Sequence, residues 1–179
     1  MIRLVPPARL ASAGKVASAF DLSAVELVQL TATQKKRITD TAEGDWHTRY
    51  SDEVAVEAVT PDYASCLVTM HVMSGAEGDP RAGCFELTIV VRAHFSRVPK
   101  IEIAESDISE FLALNGLFAA WPYLREIASS TVVRMGFPPF VLDPLVLRPE
   151  PSPEAVEKHR AEQATKSGKL GDVTTKPAT

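Results

Sequence analysis

Before residue 100 the chain carries four runs of strand-like sequence, joined by connections too short to hold a crossover helix. Strands joined that way pair antiparallel, because a parallel pair needs a crossover of a dozen or more residues. Ser23–Thr33 has Val25 and Leu27 toward one face and Val28 and Leu30 toward the other. In Tyr50–Val59, residues Tyr50, Val54, Val56 and Ala58 oppose Ser51, Glu53 and Glu57. Tyr63–Met73 lines up Ala64, Cys66, Val68, Met70 and Val72. Cys84–Phe95 is the cleanest, with Phe85, Leu87, Ile89, Val91, Ala93 and Phe95 on one face and Cys84, Glu86, Thr88, Arg92 and His94 on the other. Such period-two runs are half-buried strands of a sheet with one covered face. Gln34–Trp46, Pro61-Asp62 and Ser74–Gly83 read as the loops between them.

The cover comes from the carboxyl half. Asp107–Leu114 reads as a short amphipathic helix or turn, and from Leu117 a stripe of Leu117, Trp121, Leu124, Ala128, Val132 and Met135 recurs at helical spacing. Pro122 is expected in the first turns, where its missing N–H costs little. Gly136 reads as the stop, and Pro138-Pro139 forbids continuation. The predicted class is α+β: a four-stranded antiparallel sheet with a long C-terminal helix packed against it. Residues 1–149 form the domain, opened by a helical segment over residues 1–22 with its apolar side at Leu10, Ala13, Val16, Ala17 and Phe20. Residues 150–179 contain no aromatic residue and only Val156, Leu170 and Val173 as larger apolar ones, so they read as a disordered tail.

Composition narrows function by exclusion. A net charge of −4, with Lys35-Lys36-Arg37 the only basic cluster, argues against nucleic acid as the main partner. Two cysteines, Cys66 and Cys84, sit in strand segments and read as reduced, buried thiols. Two prolines interrupt the amino terminus where a signal peptide needs an apolar run, and no window reaches the roughly 20 apolar residues of a membrane span. A cytoplasmic protein without membrane insertion is expected.

No residue pattern points to catalysis or to a cofactor. His47, His71, His94 and His159 lack metal-ligand spacing, although His71 and His94 could be neighbours in the sheet. There is no G-x-S-x-G turn and no Gly-rich phosphate loop. Arg125-Glu126 reads as a structural ion pair or an interface contact. The anomaly is apolar surplus: both sheet faces receive apolar side chains, and Trp46, Trp121 and Phe137-Pro-Pro-Phe140-Val-Leu add more. These residues either complete the core or an interface between copies, or line an exposed groove for extended apolar polypeptide. An enzyme or small-ligand domain and a structural adaptor remain rival readings.

A resemblance favours the groove. Trp121-Pro-Tyr-x-Arg-Glu126, followed by Arg134-x-x-Phe-Pro-x-x-x-Leu142-x-Pro144, is similar to the carboxyl half of SecB-type export chaperones. Phe20-Asp-Leu-Ser23 resembles the family's lead into its first strand, and Gly44-Asp-Trp46 with Tyr50–Ala58 its crossover loop and second strand. Cys84-Phe-Glu-Leu87, running on to Phe95, matches the fourth strand more loosely. The order and spacing agree over roughly Phe20 to Leu147.

What the resemblance implies is a non-enzymatic, ATP-independent holdase without cofactors. It would be a homotetramer, a dimer of dimers, that keeps unfolded preproteins competent for Sec-dependent export and hands them to SecA. Carried over by position, Trp46, Tyr50, Val54, Val56, Leu124, Phe137 and Phe140 would line the client groove, and Asp21 and Glu86 would contact SecA. The helical amino terminus, the weaker net acidity and the tail depart from a typical SecB. They fit a divergent, SecB-like branch in which some members serve one antitoxin in a toxin–antitoxin–chaperone system.

Overall fold

The computed structural model describes residues 1–35, 46–76, 83–98, 102–153 and 157, with the backbone alone for Trp46, His47, Ala76 and Gly83. In chain order the elements are β1 (Ile2–Val5), α1 (Pro7–Val16), a 3₁₀ turn (Ala17–Ala19), β2 (Phe20–Gln34), β3 (Trp46–Val59), β4 (Tyr63–Ala76), β5 (Gly83–Arg97), α2 (Glu105–Phe111), a π turn (Leu112–Gly116), α3 (Leu117–Arg134) and β6 (Val146–Pro149). Four strands form one antiparallel sheet in the order β2-β5-β4-β3. β5 and β4 are central, while β2 and β3 are the edges. The predicted α+β class holds.

The core lies between one face of this sheet and the helices. All five even-numbered positions read on β4 and all six odd-numbered positions read on β5 are buried. The stripe on α3 meets them with Leu117, Trp121, Leu124, Ala128 and Val132. At the other end Phe111 of α2 stacks on Phe20 at 4.8 Å and meets Phe95 edge-on at 5.2 Å. This aromatic cluster ties the start of β2 and the end of β5 to the helix layer.

Three local expectations are corrected. β2 begins at Phe20, so Asp21-Leu22-Ser23 lies within the strand rather than before it. Bulges fall between Leu22 and Ala24 and between Leu27 and Gln29. The second returns Leu30 to the face of Leu27, because one extra residue reverses the alternation. A bulge between Val56 and Ala58 likewise moves Ala58 off the face of Val54 and gives that face to Val59.

The helix layer is also longer than expected. α2 and α3 run on through a π turn, so Pro122 lies in a helix interior and not near a start. The amide Pro122 lacks would have bonded Phe118 in the preceding turn. Both residues are solvent-exposed, so water can satisfy the freed carbonyl. The π turn lets Gly116 approach the sheet: a Cβ there would lie 2.2 Å from the Cys66 sulfur.

Gly136, at φ +82°, ends α3 as expected. Its N–H donates to Val133 O at 2.9 Å, and the Phe137 N–H donates to Val132 O at 3.2 Å. These are the two bonds of a Schellman cap.

The 150–179 tail falls almost wholly outside the described residues. No helix among them is long and apolar enough to cross a membrane.

Candidate functional site

The exit from α3 shapes an apolar cavity on the helix side of the sheet. The Schellman cap turns the chain so that Phe137 packs against Phe85 of β5, ring centroids 5.0 Å apart. Pro138-Pro139 then holds the backbone stiff, and Phe140 is left half-buried. Together with Thr48, Ser74, Phe85 and Val132 they enclose about 180 Å³. That is below the ~300–1,000 Å³ of small-molecule sites and suits one bulky side chain of a longer ligand. Its polar atoms are few: Ser74 is buried, and the Thr48 hydroxyl donates to Ser74 Oγ at 3.4 Å.

The client residues expected from the sequence divide. Phe137 and Phe140 line this cavity. Tyr50 and Val54 are half-buried on the helix side of β3: Tyr50 lies 6.0 Å from the Trp121 ring, and Val54 Cγ1 lies beneath Gly116. Val56 is exposed, further along the same edge. The Trp46 side chain lies outside the described residues. Leu124 does not fit its expected role: it is wholly buried between α3 and the sheet, so it is a core residue with no surface for a client.

Beyond the β3 edge the two ends of the domain clasp each other. β1 pairs in parallel with β6, Ile2 opposite Val146 and Val5 opposite Pro149. The Met1 nitrogen donates to Pro144 O at 2.7 Å, and the Glu150 N–H to Val5 O at 2.9 Å. Arg3 reaches the Asp52 carboxylate of β3 at 2.5 Å. The Asp52 side chain is only 8% exposed and sits between Tyr50 and Val54. Behind this clasp Trp121 Nε1 donates to Asp143 O at 2.9 Å and fixes the chain leading into β6. Burial raises the Tyr50 phenol above its ordinary pKa, and the nearby Asp52 and Asp143 carboxylates add to the shift.

The opposite face of the sheet carries paired charges beside exposed apolar side chains such as Met73. Glu57 accepts two 2.7 Å bonds from Arg92 and a 3.0 Å bond from Ser65. Arg92 also reaches Glu26 at 3.5 Å, and His94 lies 3.3 Å from Glu26. Asp21 and Glu86 both lie on this face but at opposite ends: Asp21 is opposite Ser96, ten positions along β5 from Glu86. That is roughly 33 Å at the rise of a strand, and Glu86 is ion-paired with Lys35. His71 bonds Thr88 at 3.0 Å and is not a neighbour of His94. No group of His, Cys, Asp or Glu among the described residues could hold a metal ion. The Cys66 thiol, pushed up to about 12 mainly by burial, is inert as a nucleophile.

Two apolar surfaces stay open. On β2, Leu22, Leu27 and Leu30 point to the helix side of the sheet, yet each is 43–52% exposed. On the outer side of α3, Phe118, Tyr123 and Val133 are exposed. A trough of about 300 Å³ runs along α3 past Pro122, Arg125, Glu126, Ser129 and Phe140 to Leu142. Arg125 Nε is shielded from solvent without a hydrogen-bond partner among the described residues.

Sequence reasoning missed Thr48, Ser74, Phe85 and Val132 as cavity walls, and Arg3 and Asp52 as a pair. Phe85 and Val132 carry ordinary core spacing, so nothing in the sequence sets them apart. Asp52 did carry a signal: it is a carboxylate at an inward position of an alternating strand.

No protein-family model matches the chain and no curated protein matches it. Among solved structures, the Mycobacterium tuberculosis SecB-like chaperone Rv1957, in complex with a ChAD peptide from the Rv1956 HigA1 antitoxin, superposes with a TM-score of 0.66 at 18% identity. The match covers 79% of this chain and 99% of that one. A Streptococcus agalactiae protein of unknown function overlaps 69% of this chain and 96% of its own at 8% identity, with a TM-score of 0.37. The fold of this chain is the SecB-like fold.

Proposed function

We propose that this chain is an ATP-independent holdase that binds extended, non-native polypeptide along the helix side of its sheet. The observation that carries the reading is an apolar surface offered by a fold shared with a peptide-binding chaperone. The cavity under Phe137–Phe140 takes one bulky side chain, and Val56 offers a separate exposed apolar residue further along β3. Trp46, at the start of the same strand, is assigned to it on the sequence resemblance. Broad apolar area with few fixed polar groups favours many weak contacts, which several grooves in one assembly add up by avidity. The chemistry needs no cofactor and no catalytic residue, and its place is the cytoplasm.

The client we favour is a segment of an antitoxin, because the similar SecB-like chaperone holds an antitoxin peptide. Export through SecA is the weaker reading. Asp21 and Glu86 are far apart, Glu86 is tied to Lys35, and Arg92 neutralises the centre of the open face, so acidic charge is not concentrated there.

We place the protein in a homotetramer, a dimer of dimers. The β2 edge is a 15-residue strand without proline and with exposed leucines, which a second copy would cover. The outer side of α3 offers a second contact, where Arg125 could find Glu126 of another copy.

The test is suppression of aggregation of a reduced, unfolded test protein, with native mass spectrometry of the chaperone alone. A tetramer that suppresses aggregation at stoichiometric amounts is expected, and Phe140→Asp should weaken suppression at temperatures well below the melting point of that variant. A monomer that leaves aggregation unchanged would sink the reading.

A further inference from the structure

The clasp between β1 and β6 has the anatomy of a bound peptide. Met1–Val5 is extended and runs alongside β6 through backbone hydrogen bonds. Its side chains alternate: Ile2 and Leu4 point to solvent, Arg3 turns in to Asp52, and Val5 is buried at 2%. The slot therefore reads two positions, a cation and, two residues on, a β-branched apolar side chain. Two parts of its wall are held independently of β1. The Trp121–Asp143 bond holds the chain before β6, and Asp52 belongs to β3. The segment after β1 is anchored separately. Pro6-Pro7 stiffens the junction, Pro7 opens α1, and α1 is held to α2 by Arg9–Glu110 and Lys15–Asp107. β1 can thus leave the slot while α1 stays in place.

The occupant is constrained by charge. β1 supplies the cation that faces the Asp52 carboxylate, at 2.5 Å. An acidic segment would bring like charge to it, and a basic one restores a charge-assisted pair.

We propose that this slot is a peptide-binding site which the chain fills with its own amino-terminal strand. A client segment that is extended and carries a basic residue followed two positions later by Val or Ile exchanges with that strand. The identity of the competitor as a client rests on the chaperone reading above; the slot and its cis occupant do not.

The test uses the full chain and a fluorescent peptide with the sequence of residues 1–8. In the wild-type protein the tethered strand competes at an effective concentration near millimolar, so the peptide binds weakly. Arg3→Glu in the protein repels Asp52 and opens the slot, and peptide affinity should rise at least tenfold. Adding Asp52→Arg to that chain recreates an opposite-charge pair and repels the peptide's own Arg3, so binding should fall back to the wild-type level or below. A peptide carrying Arg3→Glu should not bind the opened Arg3→Glu chain. As a second handle, Ile2→Cys with Val146→Cys places thiols at paired, exposed positions. Oxidation should abolish peptide binding and reduction restore it. Equal binding by wild type and Arg3→Glu, or equal binding of both peptides, overturns the proposal. So does binding that survives the oxidised lock. Suppression of aggregation is measured on the same samples: if the peptide binds as expected and suppression is absent, the chaperone reading fails and the slot stands.

Discussion

β5 and β2 are hydrogen-bonded neighbours of equal length, 15 residues each, and both carry apolar side chains toward the helices. Their fates differ. On β5 every inward residue from Phe85 to Phe95 is at most 3% exposed, whereas on β2 the inward Leu22, Leu27 and Leu30 stay about half open. The difference lies in position, not in residue type. α3 packs most closely on β5 and touches β2 without covering these leucines. Alternation reports which way a side chain points; it does not report whether anything lies there. Exposed apolar residues clustered at a sheet edge are a common feature of interaction surfaces.

The comparison can be broken most forcefully at the centre. Leu87→Ala removes a 1% exposed side chain from under α3, and a loss of about 2–5 kcal/mol is expected from denaturant unfolding. Leu27→Ala on β2 should cost under about 0.5 kcal/mol in a dissociated subunit. Similar losses at the two sites would show that β2 is as covered as β5 and would remove the case for an edge interface.

Next in size is the close approach of the helix to β4. Gly116→Ala puts a methyl group 2.2 Å from the Cys66 sulfur, and overpacking of this kind costs about 1–3 kcal/mol. Adding Cys66→Ala leaves the Cβ of residue 66 at 3.8 Å and Val54 Cγ1 at 3.9 Å from the new methyl, both ordinary contacts. The double variant should recover most of the loss by thermal melting. If Gly116→Ala melts like the wild type, the π turn does not hold the helix this close.

The edge itself is probed by assembly rather than by stability. Leu27→Asp with Leu30→Asp should move the mass seen by native mass spectrometry to a smaller species, while circular dichroism of the subunit stays unchanged. An unaltered tetramer would place the interface elsewhere, with the outer side of α3 the next surface to test.

What could be read from the sequence follows the same division. β4, β5 and the α3 stripe were legible because their period is uninterrupted and their neighbours cover them. The Gly136 cap was legible because only glycine takes that backbone conformation readily. The bulges at Ser23 and Val28 were not, since a bulge is defined against a partner strand. The β1–β6 pair was not, because two four-residue segments about 140 positions apart carry no local period. Of the site, Phe137 and Phe140 were legible from an apolar run after a helix stop. Leu124 was misplaced because helical spacing does not separate a residue facing the core from one facing a groove.

The smallest effect is expected on the open face, where pairing replaces burial. The Arg92 bonds hold the Glu57 carboxylate below its ordinary pKa, with Ser65 and His94 assisting. A carboxylate with a lowered folded-state pKa adds stability at pH values above its unfolded pKa of ~4.3, and that contribution is lost as pH falls through the folded value. Glu57→Gln should therefore flatten the fall in melting temperature on acidification below about pH 4.5 and change little at pH 7, because solvent screens an exposed pair. Leu87→Ala should do the reverse, lowering the melting temperature by a similar amount at both pH values. An acid profile of Glu57→Gln that superimposes on the wild type would mean that the row joining Glu57, Arg92, Glu26 and His94 contributes nothing measurable. The open face would then be held in place by the core beneath it alone.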